Sequence, residues 1–430
     1  MTTARQFSLG VFALSLASGV AVPAHAETLR TKLARVLQDH SLMLVVNAEA
    51  EALEHQSGVE RSRWFPTLTA DMSKGRERYA SENSGRDWKG TDNVSVGVQQ
   101  TVWDFGVTSN AVRKADATVK KKSVERSLQE QNLLMAGIEA HLRLRKAWEL
   151  VRYARDSEGN VKRQTLLESA RVEAGKGYNT DVLQAKVTYA QVEARRIAAE
   201  GEMEKAQHRY VAVFDDPSVD PSTLEPLSVA NTTLPRSLED LLAMVESRNP
   251  DLMRAREMIT VADADRDLTE SKEWAPSLKL VGAHSVSHNE SGVAGALTDS
   301  TVKLKLSWQL DVGGRAIEAV RAADANASAE RARARYAVTQ ALEEARNAWN
   351  SIKVAKERMR TLKEQMDLQV QFLQLARKER EIGRRSLLDV LNGETQLLNA
   401  QADYQAAQID YVLSAERVIR SYGGLSLDTI

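Results

Sequence analysis

Seven histidines are the first residues to weigh as chemistry, because imidazole is both a general base and a metal ligand near neutral pH. They are scattered along the chain. Only His284 and His288 approach a pair, and they fall on an expected strand and its loop, where the helical spacing of metal ligands does not apply. The chain has no cysteine, so no disulfide frame, zinc-thiolate cluster or lipid-bearing thiol can form. It also lacks a phosphate-cradling glycine loop and a dinucleotide fingerprint. These residues support no enzyme, no cofactor and no resident metal. The candidates that remain are groups that recognise membranes and other helices. They are Trp64, Trp103, Trp274 and Trp308, and two polar turns after Gly175 and Gly383, in the first of which Thr180 and Asp181 suit helix N-caps.

Two long runs place those turns. Gly106 to Gly175 contains no proline, and its apolar residues Val124, Leu128, Met135, Ile138 and Leu142 recur at helical spacing. Gly313 to Gly383 is a second run of nearly equal length. A helix this long reaches ~100 Å at ~1.5 Å per residue, beyond any ordinary globular domain. In the second run Leu342, Ala345, Trp349, Ile352, Met359, Met366, Val370 and Leu373 follow a three-four seam interrupted by Lys356 and Lys363. Such a seam packs helix on helix. The composition agrees, with 43% apolar residues but only 5% aromatic.

The rest of the chain repeats around these rods. Thr28 to Arg63 reads as helix with a break near His40, and Leu238 to Glu273 as helix with a break at Asn249-Pro250. Trp64-Phe65-Pro66-Thr67-Leu68 is echoed by Trp274-Ala275-Pro276-Ser277-Leu278. Alternating segments then predict strands at about 67–79 and 93–103 in one half, and 277–287 and 301–311 in the other. Long helices at about 106–174 and 314–382 follow, then a turn and a shorter helix. Half of the eight prolines, Pro217, Pro221, Pro226 and Pro235, mark a linker at 216–237 between repeat 1 (27–215) and repeat 2 (238–430). The helices expected at 28–63 and 181–214, laid end to end, match one long rod in length. That places the linker at mid-height, the equator.

Residues 1–26 read as a secretory signal, with Arg5, an apolar stretch from Phe7 to Val22 and a small-residue cleavage site at Ala24-His25-Ala26. A single membrane anchor is the alternative reading of that stretch. No later segment is apolar for ~20 residues. A net charge of −1 without basic blocks gives no reason to expect nucleic acid.

Four short strands per chain cannot close a barrel, and an open edge is a liability. Their length and alternation suit transmembrane barrel strands, and the four tryptophans at the helix-proximal strand ends suit an interfacial aromatic belt in outer-membrane lipid. Packing of the tryptophans in a core is the alternative. Closure needs several copies, hence a symmetric oligomer. The competing function is an exported periplasmic coiled-coil adaptor or scaffold without a pore, which should lack both amphipathic hairpins.

The paired strand ends Val98-Gln99-Gln100-Thr101-Val102-Trp103-Asp104-Phe105-Gly106 and Leu306-Ser307-Trp308-Gln309-Leu310-Asp311-Val312-Gly313-Gly314 resemble the TolC-like outer-membrane factors of efflux pumps and type I secretion. The turns Thr180-Asp181-Val182-Leu183-Gln184-Ala185 and Leu388-Asp389-Val390-Leu391-Asn392-Gly393 carry the same resemblance. It implies a mainly α fold with a small β part, a homotrimer whose long-helix tunnel continues a transmembrane β-barrel in the outer membrane of a Gram-negative bacterium. It also implies a periplasmic adaptor and an inner-membrane ABC or RND transporter as partners, with the helix tips as the gate. By motif the gate latch falls on Thr180, Asp181 and Arg385. Arg380 stands where the family has a tyrosine, and an Arg380–Asp181 ion pair would replace that tyrosine's hydrogen bond. Asp389 matches the first carboxylate of the family's entrance ring, while Asn392 stands at the second and should weaken its preference for cations.

Overall fold

The computed structural model describes residues 28–78, 88–227, 234–290 and 294–429. The expected signal segment lies outside the described residues. The first repeat consists of α1 (Leu29–Asp39), α2 (Ser41–Ser62), β1 (Thr67–Glu77), β2 (Lys89–Trp103), α3 (Val107–Glu173) and α4 (Asn179–Phe214). After a short 3-10 turn (Pro221–Thr223) the same order returns as α5 (Leu238–Arg248), α6 (Pro250–Trp274), β3 (Ser277–His288), β4 (Ala296–Ser307), α7 (Arg315–Glu381) and α8 (Leu387–Ser421).

The helix boundaries follow from local chemistry. His40 has an extended backbone, and its Nδ1 accepts from the Leu42 amide at 3.1 Å, so α1 stops and α2 starts. Asn249 does the same between α5 and α6, accepting from the Leu252 amide at 2.9 Å ahead of Pro250, which fits a first helical turn. The buried Asp104 explains the strand-to-rod motif: its carboxylate accepts from the Gly106 amide at 3.2 Å and the Thr108 amide at 2.8 Å. Those are amides that the new helix leaves without partners. Asp311 repeats the turn by accepting from the Gly313 amide at 2.8 Å.

The two rods hold 67 residues each, and α4 (36) with α1 (11) and α2 (22) nearly matches one of them. α3 packs against α2 and α4 on one flank and α6 and α8 on the other, whereas α7 meets α5, α6 and α8 on one flank alone. The residues of the predicted seam on α7 are all buried or half-buried, joined by Ala341, Ala355 and Ala376, while Lys356 and Lys363 are exposed.

The main core lies at the equator, where Leu33, Met43, Ile138, Leu144, Tyr210, Leu241 and Ile419 come together from both repeats. The linker is strapped over it. His141 bonds the Glu225 carbonyl through Nε2 at 2.9 Å, and Arg145 donates to the Leu224 carbonyl at 2.9 Å.

All four strands form one antiparallel sheet in the order β1-β2-β3-β4, with β1 and β4 at its edges. The fourth strand is a correction to the sequence reading, which predicts 301–311. β4 pairs with β3 from His288 opposite Ala296 to Ser277 opposite Ser307. Since β3 begins just after Pro276, no described strand pairs with Trp308 to Asp311. β2 also starts earlier than predicted, at Lys89, because its polar end pairs with Glu77 of β1.

Candidate functional site

Both rods end in the same turn. Gly175 (φ 71°) and Gly383 (φ 76°) take the left-handed conformation that favours glycine. The Lys176 amide donates to the Arg171 carbonyl and the Arg384 amide to the Glu379 carbonyl, both at 2.8 Å. These six-to-one bonds close a helix end tightly. Beyond the second turn, Ser386 caps α8 by accepting from the Asp389 amide at 3.1 Å. Beyond the first turn no side chain caps α4, which starts at Asn179 with Tyr178 at the cap position. Thr180 and Asp181 lie inside the first turn instead, where the Asp181 carboxylate favours the helix dipole without capping.

Arg380 does not pair with Asp181. Its Nη2 donates to Glu168 Oε1 of α3 at 2.7 Å, and its Nη1 to the Arg385 carbonyl at 3.2 Å. The reason is the helix seam. Glu168 is one heptad beyond Val161, which packs with Ala185 and Val192 of α4 and Leu387 and Leu391 of α8, so its carboxylate points into that seam, 2% exposed. A buried carboxylate must be paired. Arg171 also donates to it, at 3.0 Å. One turn up α7, Arg377 repeats the device on Glu394 of α8, itself 2% exposed, through Nε at 3.1 Å and through Nη2. Asn160 of α3 reaches the other oxygen of Glu394 at 3.4 Å. The α7–α8 hairpin is thereby tied to α3 by two buried charged groups above the tips.

The other expected gate residues lie around this cluster. Arg385 is held within its own hairpin, on Glu379 at 2.6 Å and over the Phe372 ring at 5.2 Å. Thr180 and Asp181 make no side-chain hydrogen bond or ion pair within the protomer among the described residues, and they sit on α4, which is at a flank of the layer. Asp389 and Asn392 are both exposed and one turn apart on α8. Glu168, Arg171, Arg377 and Glu394 were not anticipated. The signal was a charged residue at a seam position, for Glu394 follows Leu387 and Leu391 at the same three-four spacing.

The sheet has the reverse of a soluble protein's polarity. Along β2 the residues Thr91, Asn93, Ser95 and Gly97 are half-covered, while Val94, Val96 and Val98 between them are exposed. Register carries the apolar face across all strands, since Leu68 opposes Val98, Met72 opposes Val94, Val94 opposes Val286, and Leu280 opposes Leu304. Trp64, Trp103, Trp274 and Trp308 are all exposed at the junction of sheet and helices, none of them in a core. Trp308 Nε1 donates to the Trp274 carbonyl at 3.1 Å. His284 bonds Ser300 Oγ at 2.7 Å, and no group of three metal-ligating side chains occurs among the described residues.

An apolar-out sheet continued by paired rods that end in glycine turns defines one stave of an outer-membrane channel. The chain belongs to the outer membrane efflux protein family, whose model matches residues 33–212 and 241–424, both repeats and not the linker. It is similar to the outer membrane efflux protein BepC of Brucella suis, at 21% identity over 98% of this chain and 91% of that one. The alkaline protease secretion protein AprF of Pseudomonas aeruginosa is 24% identical over 88% of this chain and 81% of its own. The fold superposes on the Campylobacter jejuni CmeC outer membrane channel with a TM-score of 0.82, at 14% identity, covering 98% of this chain and 94% of that one.

Proposed function

We propose that three copies of this chain form the exit duct of a tripartite efflux pump or type I secretion system, opened at the helix tips by a periplasmic adaptor and an inner-membrane transporter. The observation that carries this reading is the inverted sheet. Exposed valines and leucines on the outer face are costly in water and favourable in lipid, and unpaired edges on β1 and β4 are tolerated in a membrane only if copies close them. The strands hold 11, 15, 12 and 12 residues, enough to span at barrel tilt. The tryptophans at the sheet-helix junction then form the periplasmic aromatic belt.

Conduction in this reading is passive, and the protein's work is to hold and release the gate. Arg380–Glu168 and the Asn160–Glu394 hydrogen bond hold the α7–α8 hairpin on α3, Arg377–Glu394 braces the hairpin itself, and opening swings that hairpin away. Thr180 and Asp181, on the flank of the layer, reach the adjacent copy, with Arg385 as a partner across the interface. Asp389 forms a single carboxylate ring at the entrance, and Asn392 leaves the second ring uncharged. Reconstitution in a planar bilayer tests the duct. Stepwise, weakly conducting channels are expected, whereas a protein that extracts without detergent and gives no steps would leave the scaffold reading standing.

A further inference from the structure

The inner face of the sheet carries its charges in tiers. Lys279 of β3 lies directly across from Lys305 of β4 and is flanked on β2 by Thr101. Lys303 is on the next level of the same face, which it shares with Thr67, Gln99 and Val281. A level of Thr69, Gly97, Ala283 and Thr301 follows. Beyond that comes an acidic level, with Asp71 and Asp299 on either side of Ser95 and Ser285. These residues alternate with Leu280, Val302, Leu304 and Leu306, so all three lysines lie opposite the apolar face, near the strand ends that join the helices.

Like charges directly across an antiparallel pair repel, and a third cation on the diagonal adds to the cost. Lys279, Lys303 and Lys305 form no ion pair among the described residues. Asp71 and Asp299 are four residues along the strand from the Lys303 level, which is ~13 Å at ~3.3 Å per residue. That exceeds a screening length of ~8 Å in physiological salt, so the acidic tier does not neutralise the basic one across a water-filled lumen. Within the sheet, therefore, no carboxylate neutralises the lysine tier, which stands open to anions of the lumen.

We propose that Lys279, Lys303 and Lys305 of each copy form an anion-binding collar at the base of the barrel, which takes phosphate or carboxylate groups of polyvalent anionic cargo on their way out. The collar rests on the trimeric-channel reading above. It opposes the carboxylate ring of Asp389 at the other end of the duct, so the two ends of the tunnel attract ions of opposite sign. The lysines face away from the lipid side, and the ligand is therefore a solute of the lumen rather than a lipid headgroup.

The test uses the full chain in planar bilayers of zwitterionic phosphatidylcholine, with inorganic tripolyphosphate added on the barrel side. Wild-type current should be blocked in a voltage- and salt-dependent way. In K279Q/K303Q/K305Q the blocking affinity should fall by ~tenfold or more. The reversal potential in a potassium chloride gradient should also move toward cation selectivity. K279R/K303R/K305R, which keeps the charge, should retain the block and so exclude a folding defect as the cause. Absence of block in the wild type, or equal block in wild type and glutamine variant, overturns the collar. Absence of any channel current in all three proteins would instead overturn the channel reading itself.

Discussion

In the proposed gate the Arg380–Glu168 pair holds the helix tips, because a buried carboxylate depends on its guanidinium partner. Removing Arg380 leaves the buried Glu168 with Arg171 as its remaining ionic partner, at a cost on the order of 2 kcal/mol for the lost charged hydrogen bond. Arg380→Ala should therefore raise single-channel conductance several-fold, and Arg380→Glu combined with Glu168→Arg should restore much of the closed behaviour. Unchanged conductance in Arg380→Ala would remove the pair from the latch. Glu416 is a second buried acid with a different consequence. Burial holds its carboxyl up from an ordinary 4.5 to about 7, and its Oε2 has no hydrogen-bond partner among the described residues. The folded protein thus keeps a proton that the unfolded chain gives up, so stability drains as pH rises from 4.5 toward 7 and the loss is complete above it. Glu416→Gln should raise the melting temperature of the detergent-solubilised protein more at about pH 8 than at about pH 5. A gain of equal size at both values would count against the ionisation account. His141 works in the opposite sense: burial lowers its pKa from 6.5, so its contribution is lost as pH falls below that value.

At the scale of the elements, the rods are held in register by close approach at chosen points rather than by bulk. Gly137 sits in the middle of α3, where a Cβ would collide with Leu33 of α1 and lie 3.4 Å from Phe214 of α4. Gly159 is in the same helix, but a Cβ there meets nothing within 4 Å. Gly137→Ala should lower stability by ~1–3 kcal/mol through overpacking. Gly159→Ala should be neutral or stabilise by ~0.5–1 kcal/mol, since a helix interior prefers alanine. Thermal melts of the two variants decide the matter, and equal shifts would mean that α1 does not dock where the structure places it. The rods, their paired turns and the breaks at His40 and Asn249 were legible because each depends on neighbours in sequence. The end of β4 was not, since alternation continues through Trp308 and Leu310 after the partner strand has run out.

For the whole molecule, an open layer with unpaired flanks on both sides requires closure. On α7 the exposed Val354, Leu368 and Leu375 have no cover within the protomer, and on α4 Leu183, Val187 and Ile197 are equally bare. The protein purified in detergent should have about three times the mass of the single chain by light scattering after correction for bound detergent. A stable monomer would contradict closure by copies. Substitution of Leu368 and Leu375 by aspartate should shift the trimer toward monomer, because both would then carry charge into an apolar seam.

The duplicated order of elements, the rod lengths, the polarity of the strands and the positions of the turns are all readable from the chain alone. All of these follow from helix and strand periods, proline, glycine and capping chemistry acting over a few residues. Which charges meet is set by packing. Arg380 reaches Glu168 and not Asp181 because the pairing depends on how the α7–α8 hairpin docks on α3 through α8, more than two hundred positions away in the chain. The lysine tier likewise exists only through register, since Lys279 and Lys305 become neighbours when β3 and β4 align. Periodicity places a residue on a face of its own element, and packing then selects the residue it meets.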